Sequence, residues 1–141
     1  MRGYLISNRF LCSEKFTDIA DRLADSAARQ GVELIRLHNT DFTSYKTVCS
    51  KIETEKPDFA LFWDKDVRVA RLIESCGLRL FNSSAAIEAC DDKSLTYLGL
   101  LGGDIRMPKT IILPKIFFPV DWASSGFLAS AAEELGFPVV V

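Results

Sequence analysis

Three groups of polar side chains stand where short apolar runs end: Ser7, Asn8 and Arg9; Asp64, Lys65 and Asp66; Asn82, Ser83 and Ser84. In an open parallel sheet, ligands collect at the carboxyl ends of the strands, so these are the places where binding chemistry would sit. Each group also has a plain structural use. Asn82, Ser83 and Ser84 are good helix caps, and Asp64 or Asp66 is a natural cap for a helix that begins at Val67. Arg9 is different, because it follows a strand and caps nothing; its ordinary role would be a solvated loop cation. Asn8, Arg9, Asp64 and Asn82 are the candidate substrate-side residues.

The elements that must position them follow from periodicity. GYLIS (3–7), VELIRL (32–37), FALFW (59–63) and LRLF (78–81) are short apolar runs of the kind that buried parallel strands show. FALFW is apolar on both faces and is expected at the centre. Between the runs, Phe16, Ile19, Ala20, Leu23 and Ala27 recur at helical spacing, with Ser13 before them and Gly31 after. Tyr45, Val48, Cys49 and Ile52 trace a weaker helix behind Ser44 that must end before Pro57. Val67, Ala70, Ile73 and Cys76 trace a third, stopped by Gly77. Alternation of this kind predicts an α/β fold, an open parallel sheet with helices on both faces.

After Phe81 the pattern changes. Residues 82–103 read as two helices, the first capped by Ser83 or Ser84 and the second by Asp91. PKTIIL (108–113) reads as a strand. Ser124 or Ser125 would cap a last amphipathic helix through Phe127, Leu128, Ala131, Ala132 and Leu135, and PVVV (138–141) begins another strand.

Composition narrows the function classes. Hydrophobic residues make up 48% of the 141, enough for a core, and the formal net charge of −2 disfavours nucleic acid as a partner. No apolar run reaches membrane-spanning length, and MRGYLISNRF lacks the apolar core of a secretion signal, so a cytoplasmic location is expected. Cys12, Cys49, Cys76 and Cys90 form no C-x-x-C pair and read as small core hydrophobes rather than zinc ligands. With His38 as the single histidine, no metal ligand and no Ser-His-Asp triad is assigned. Neither G-x-G-x-x-G nor G-x-x-x-x-G-K-[ST] follows the first strand, which removes the commonest dinucleotide and P-loop sites. A receiver-type phosphorylation domain would need acidic residues where Asn8 and Arg9 stand.

The segment CDDKSLTYLGLLGGDIRMPKTIIL (90–113), together with LGFPVVV (135–141), resembles the opening of an ATP-grasp domain. LFWDKDVRVARLIESCGLRLFNSSAAIEAC (61–90) resembles the pre-ATP-grasp domain that precedes it in RimK-like carboxylate–amine ligases. Arg106 departs from the pattern, which often has proline there. The resemblance implies a domain of residues 1–90 followed by the first part of an ATP-grasp domain, 91–141. It implies that Lys93, otherwise a solvated first-turn lysine, reaches the phosphates of ATP. The full-length parent would use ATP and magnesium to turn a small-molecule or peptide carboxylate into an acyl phosphate that accepts an amine. In that family a second nucleotide lysine, a glycine-rich loop and the magnesium ligands follow the valine strand. On this reading the 141 residues are an inactive opening piece with no tightly bound cofactor. Their unpaired strands would favour self-association through 108–141. The alternative is a stand-alone flavodoxin-like binding module without catalysis.

Overall fold

The computed structural model describes residues 1–11, 13–119, 121 and 126–140, and the chain divides into two compact units, Met1–Gly99 and Leu100–Val141. In the first, strands β1 (Arg2–Ser7), β2 (Glu33–His38), β3 (Phe59–Trp63) and β4 (Leu80–Phe81) form one sheet in the order β2-β1-β3-β4. Every pairing is parallel. Helices α1 (Glu14–Arg29), α2 (Tyr45–Glu55) and α3 (Val67–Ser75) make the crossovers, and a 3-10 turn (Asn39–Asp41) precedes α2. The fold is the open parallel α/β arrangement expected from the alternating runs.

Local chemistry explains the element ends. Gly31 adopts φ +72 after α1; its N–H donates to the Ala28 carbonyl at 3.0 Å, and the Val32 N–H reaches back to Ala27 at 3.0 Å. That pair of bonds is a Schellman cap, which needs the left-handed conformation glycine adopts cheaply. Ser44 caps α2 by accepting from the Thr47 N–H at 3.3 Å, and the helix ends at Glu55, two residues before Pro57. Gly3 has a packing role instead: a Cβ there would lie 2.7 Å from the Phe59 ring, so a side chain at that point would have to displace the ring.

The core lies on one face of the sheet. Tyr4, Ile6, Ala60 and Phe62 alternate toward α2 and α3, where Val48, Ala70 and Ile73 meet them, and all seven are buried. Gly3, Leu5 and Ser7 point to the opposite face, on the α1 side. The Tyr4 hydroxyl donates to Glu55 Oε2 at 2.7 Å, and Lys51 Nζ holds the other carboxylate oxygen at 2.7 Å. Burial, then the Glu55 bond, pushes the Tyr4 hydroxyl far above its ordinary 10.0. The Lys51 and Tyr4 bonds hold Glu55 below its ordinary 4.5. Because the unfolded chain binds the Glu55 proton more readily, this contribution is present in full above the ordinary value and fades as pH falls through the lowered one. The tyrosine acts at the other end, stabilising below its ordinary value and losing effect as pH rises beyond it. Tyr4→Phe is expected to cost about 1.5 kcal/mol at neutral pH and to flatten the acid limb of a urea-midpoint profile. An unchanged acid limb would show that the bond does not form.

Several expectations are corrected. β4 is two residues long rather than four, because it is paired with β3 only at Ala60–Leu80 and Leu61–Phe81, although Leu78 is still buried. Asp92, not Asp91, caps α5 (Lys93–Leu100), the helix after α4 (Ser84–Asp91); its Oδ1 accepts from the N–H of Ser94 at 2.8 Å and of Leu95 at 3.3 Å. Cys49 and Cys76 are a disulfide joining α2 to the end of α3, not separate core hydrophobes, and Cys90 is exposed. In the second unit, 108–113 and 138–140 form no strand. The described residues there include no strand for them to pair with, and an extended segment needs a neighbour to take its N–H and C=O groups. The unit contains α6 (Phe127–Leu135), as the periodicity predicts, with Lys109 paired to Glu134. The Ser124 or Ser125 cap and Val141 lie outside the described residues.

Candidate functional site

Strand order places the site. The chain leaves β1 toward β2 on one side and returns to β3 on the other, so the connections diverge beyond the carboxyl ends of β1 and β3. That divergence opens a crevice where open α/β sheets hold ligands. Asn8 follows β1 and Asp64 follows β3. Asn8 Nδ2 donates to both Asp64 carboxylate oxygens, at 3.1 and 3.3 Å, across the crevice. Asn8 is itself oriented, since its Oδ1 accepts from the Phe10 N–H at 2.9 Å, and Asp64 also accepts from the Lys65 N–H at 2.6 Å.

The helix caps separate the capping aspartate from the one that faces the crevice. Asp66 caps α3, accepting from the N–H of Arg68 at 3.1 Å and of Val69 at 3.2 Å. That leaves Asp64 for the crevice. Ser83 caps α4 through the Ala86 N–H at 3.2 Å, and Ser84 is buried with its hydroxyl and N–H both donated to the Glu74 carboxylate. These bonds tie the start of α4 to α3 and leave Asn82 at the mouth of the crevice.

A cavity of about 280 Å³ is lined by Asp64, Lys65, Asn82, Ala86, Ile87, Cys90, Asp91 and Lys93. Three of the five candidate residues, Asp64, Asn82 and Lys93, therefore share one cavity, and a fourth, Asn8, is bonded to Asp64. Arg9 does not line it; its backbone N–H donates to Asn39 Oδ1 at 3.2 Å, beside the end of β2. Lys93 is the first residue of α5 (Lys93–Leu100), and its Nζ donates to the Cys90 carbonyl at 3.4 Å. A cation in the first turn of a helix opposes the helix dipole, so helix stability does not favour its position. Lys65 Nζ pairs with Asp91 at the rim.

Two parts of this arrangement are absent from the expectations drawn from the sequence. Lys65 and Asp91 meet only through the fold. His38 ends β2, and the strand-end rule used for the other three strands would have named it. It lines a second cavity, on the α1 face, together with Ser7, Asn8 and Trp63.

No protein-family model matches the chain. It is 31% identical over 134 residues to an uncharacterized protein of Mycoplasma pneumoniae, a match that takes in 89% of this chain and 46% of the relative. It is 30% identical over 107 residues to an uncharacterized protein of Mycoplasma genitalium, covering 71% of this chain and 37% of that one. The chain thus spans less than half the length of these relatives.

Proposed function

We propose that these residues are the front part of an ATP-dependent carboxylate–amine ligase of the RimK-like ATP-grasp type, acting in the cytoplasm. The observation that carries this reading is the order and spacing of CDDKSLTYLGLLGGDIRMPKTIIL and LGFPVVV. Support comes from Lys93, which opens a helix at a cavity shared with Asp64 and Asn82, and from the greater length of the two mycoplasmal relatives. No helix among the described residues is long and apolar enough to cross a membrane. In the reducing cytoplasm Cys49 and Cys76 would be thiols.

The residues present fit one phosphate contact and no more. Two ammonium groups, Lys65 and Lys93, line the cavity with two carboxylates, Asp64 and Asp91, so its side-chain charge sums to zero. Asp91 is already paired with Lys65, and Asp64 is engaged by Asn8. An adenine site, further cations and magnesium ligands would have to come from other parts of the polypeptide. ATP–magnesium should therefore bind the 141 residues no tighter than about 1 mM in an NMR titration. A micromolar constant would place a nucleotide site within them.

The test of the activity uses a longer polypeptide that includes these residues. ADP release should require both a carboxylate and an amine, with ¹⁸O passing from the carboxylate to phosphate, and Lys93→Ala should slow it about 10- to 100-fold. ADP release without that oxygen transfer would overturn the reading.

Self-association is proposed for the 141-residue chain. Phe117, Phe118 and Phe137 are exposed, as are Ile112 and Leu113. Light scattering should show dimers for 1–141 and monomers for 1–90; a monomeric 1–141 at all concentrations would remove the proposal.

A further inference from the structure

The face of the sheet under α1 holds the second cavity, of about 270 Å³. Parallel register sets His38, Ser7 and Trp63 side by side across β2, β1 and β3, one row at the carboxyl ends of three strands. Leu5 lies behind this row, and Phe16 and Leu23 of α1 form the roof. The apolar stripe of α1 should close on the sheet, yet none of its residues is buried. Space remains between a mostly apolar roof and the sheet, with Ser7, Asn8, Thr17, Arg36 and His38 as its polar lining.

We propose that this cavity binds a small uncharged aromatic molecule carrying one ring N–H or O–H. Its size is suitable: an apolar cavity of about 150 Å³ accepts benzene, so this one has room for two fused rings. Trp63 and Phe16 offer ring faces and edges for stacking. Ser7 Oγ lies 3.3 Å from His38 Nδ1, and together they form the polar edge that would take the ligand's N–H or O–H. The backbone at the end of β2 is fixed beside it, since the Asp41 carboxylate accepts the His38 backbone N–H at 2.8 Å. Arg36 also lines the cavity, but Asp21 matches its charge at 2.5 Å, so the site does not call for an anion. Asn8 borders this cavity as well, but the ligase reading rests on Lys93, Asp64 and Asn82, which line the other one.

Indole is the probe, with 1-methylindole as the analogue that lacks the N–H. Titration of the 141-residue protein, followed by ¹H–¹⁵N NMR, should give saturable shifts at Ser7, His38 and the Trp63 indole, with weaker binding of 1-methylindole. Ala20 also lines the cavity, and Ala20→Phe should fill it and weaken indole about tenfold or more. Ser7→Ala keeps the cavity and should weaken indole about fivefold while leaving 1-methylindole unchanged. Should Ala20→Phe fail to fold, Ser7→Ala alone decides. Absence of saturable shifts, shifts confined to other residues, or equal loss of both probes in Ser7→Ala would overturn the proposal.

Discussion

Reduction of the Cys49–Cys76 disulfide should lower the unfolding free energy by roughly 3.5 kcal/mol, from closure of a loop with a sequence separation of 27. The bridge joins α2 to the end of α3, the two helices that cover the buried face of the sheet. Its main effect is on the unfolded chain, which regains freedom once the cross-link is gone. The urea midpoint should therefore fall on adding a phosphine reductant, while the slope of free energy against urea rises because the reduced unfolded chain exposes more surface. A Cys49→Ala, Cys76→Ala double variant should match the reduced protein and ignore reductant. A midpoint that reductant leaves in place would show that the thiols do not pair in solution.

How far the sequence could be read varies with the physics of each element. β1 and β3 are short apolar runs, and helices with defined stops separate the strands, so the parallel arrangement was legible from local pattern alone. Crossover length then leaves few topologies. Positions 108–113 and 138–140 fail for the opposite reason: they have strand composition, but a strand is a property of a pair, and the described residues of their unit supply no partner. Asp91 and Asp92 are equally good caps by type; the choice depends on which carboxylate faces the Ser94 N–H and which meets Lys65. The cysteines show the same limit, since a separation of 27 residues says nothing about pairing until α2 and α3 lie side by side. The strand-end rule found Asn8, Asp64 and Asn82 because it is topological. It missed His38 only because it was not applied to β2.

Phe62→Ala and Trp63→Ala should differ about threefold or more in cost, although the residues are neighbours on β3. Phe62 is 1% exposed and faces the cluster formed with Tyr4, Ile6, Val48 and Ile73. Truncating it leaves a cavity in a core that relaxes only partly, at a cost of about 3–5 kcal/mol. Trp63 points to the other face and is 45% exposed beside the α1 cavity, so its loss should cost less than about 1 kcal/mol. The binding readout should run the other way. Trp63→Ala should weaken indole while the urea midpoint scarcely moves, because it removes one wall of the cavity. At temperatures where Phe62→Ala is still folded, it should bind indole nearly as well as the parent chain, since the cavity lies across the sheet from the lesion. If both variants lost stability equally, Trp63 would be a core residue and the space beneath α1 would be a packing gap. If Phe62→Ala alone abolished indole binding, the probe would occupy the main core rather than the α1 face. The alternation of side chains along one strand thus separates what holds the sheet together from what the sheet presents to a ligand.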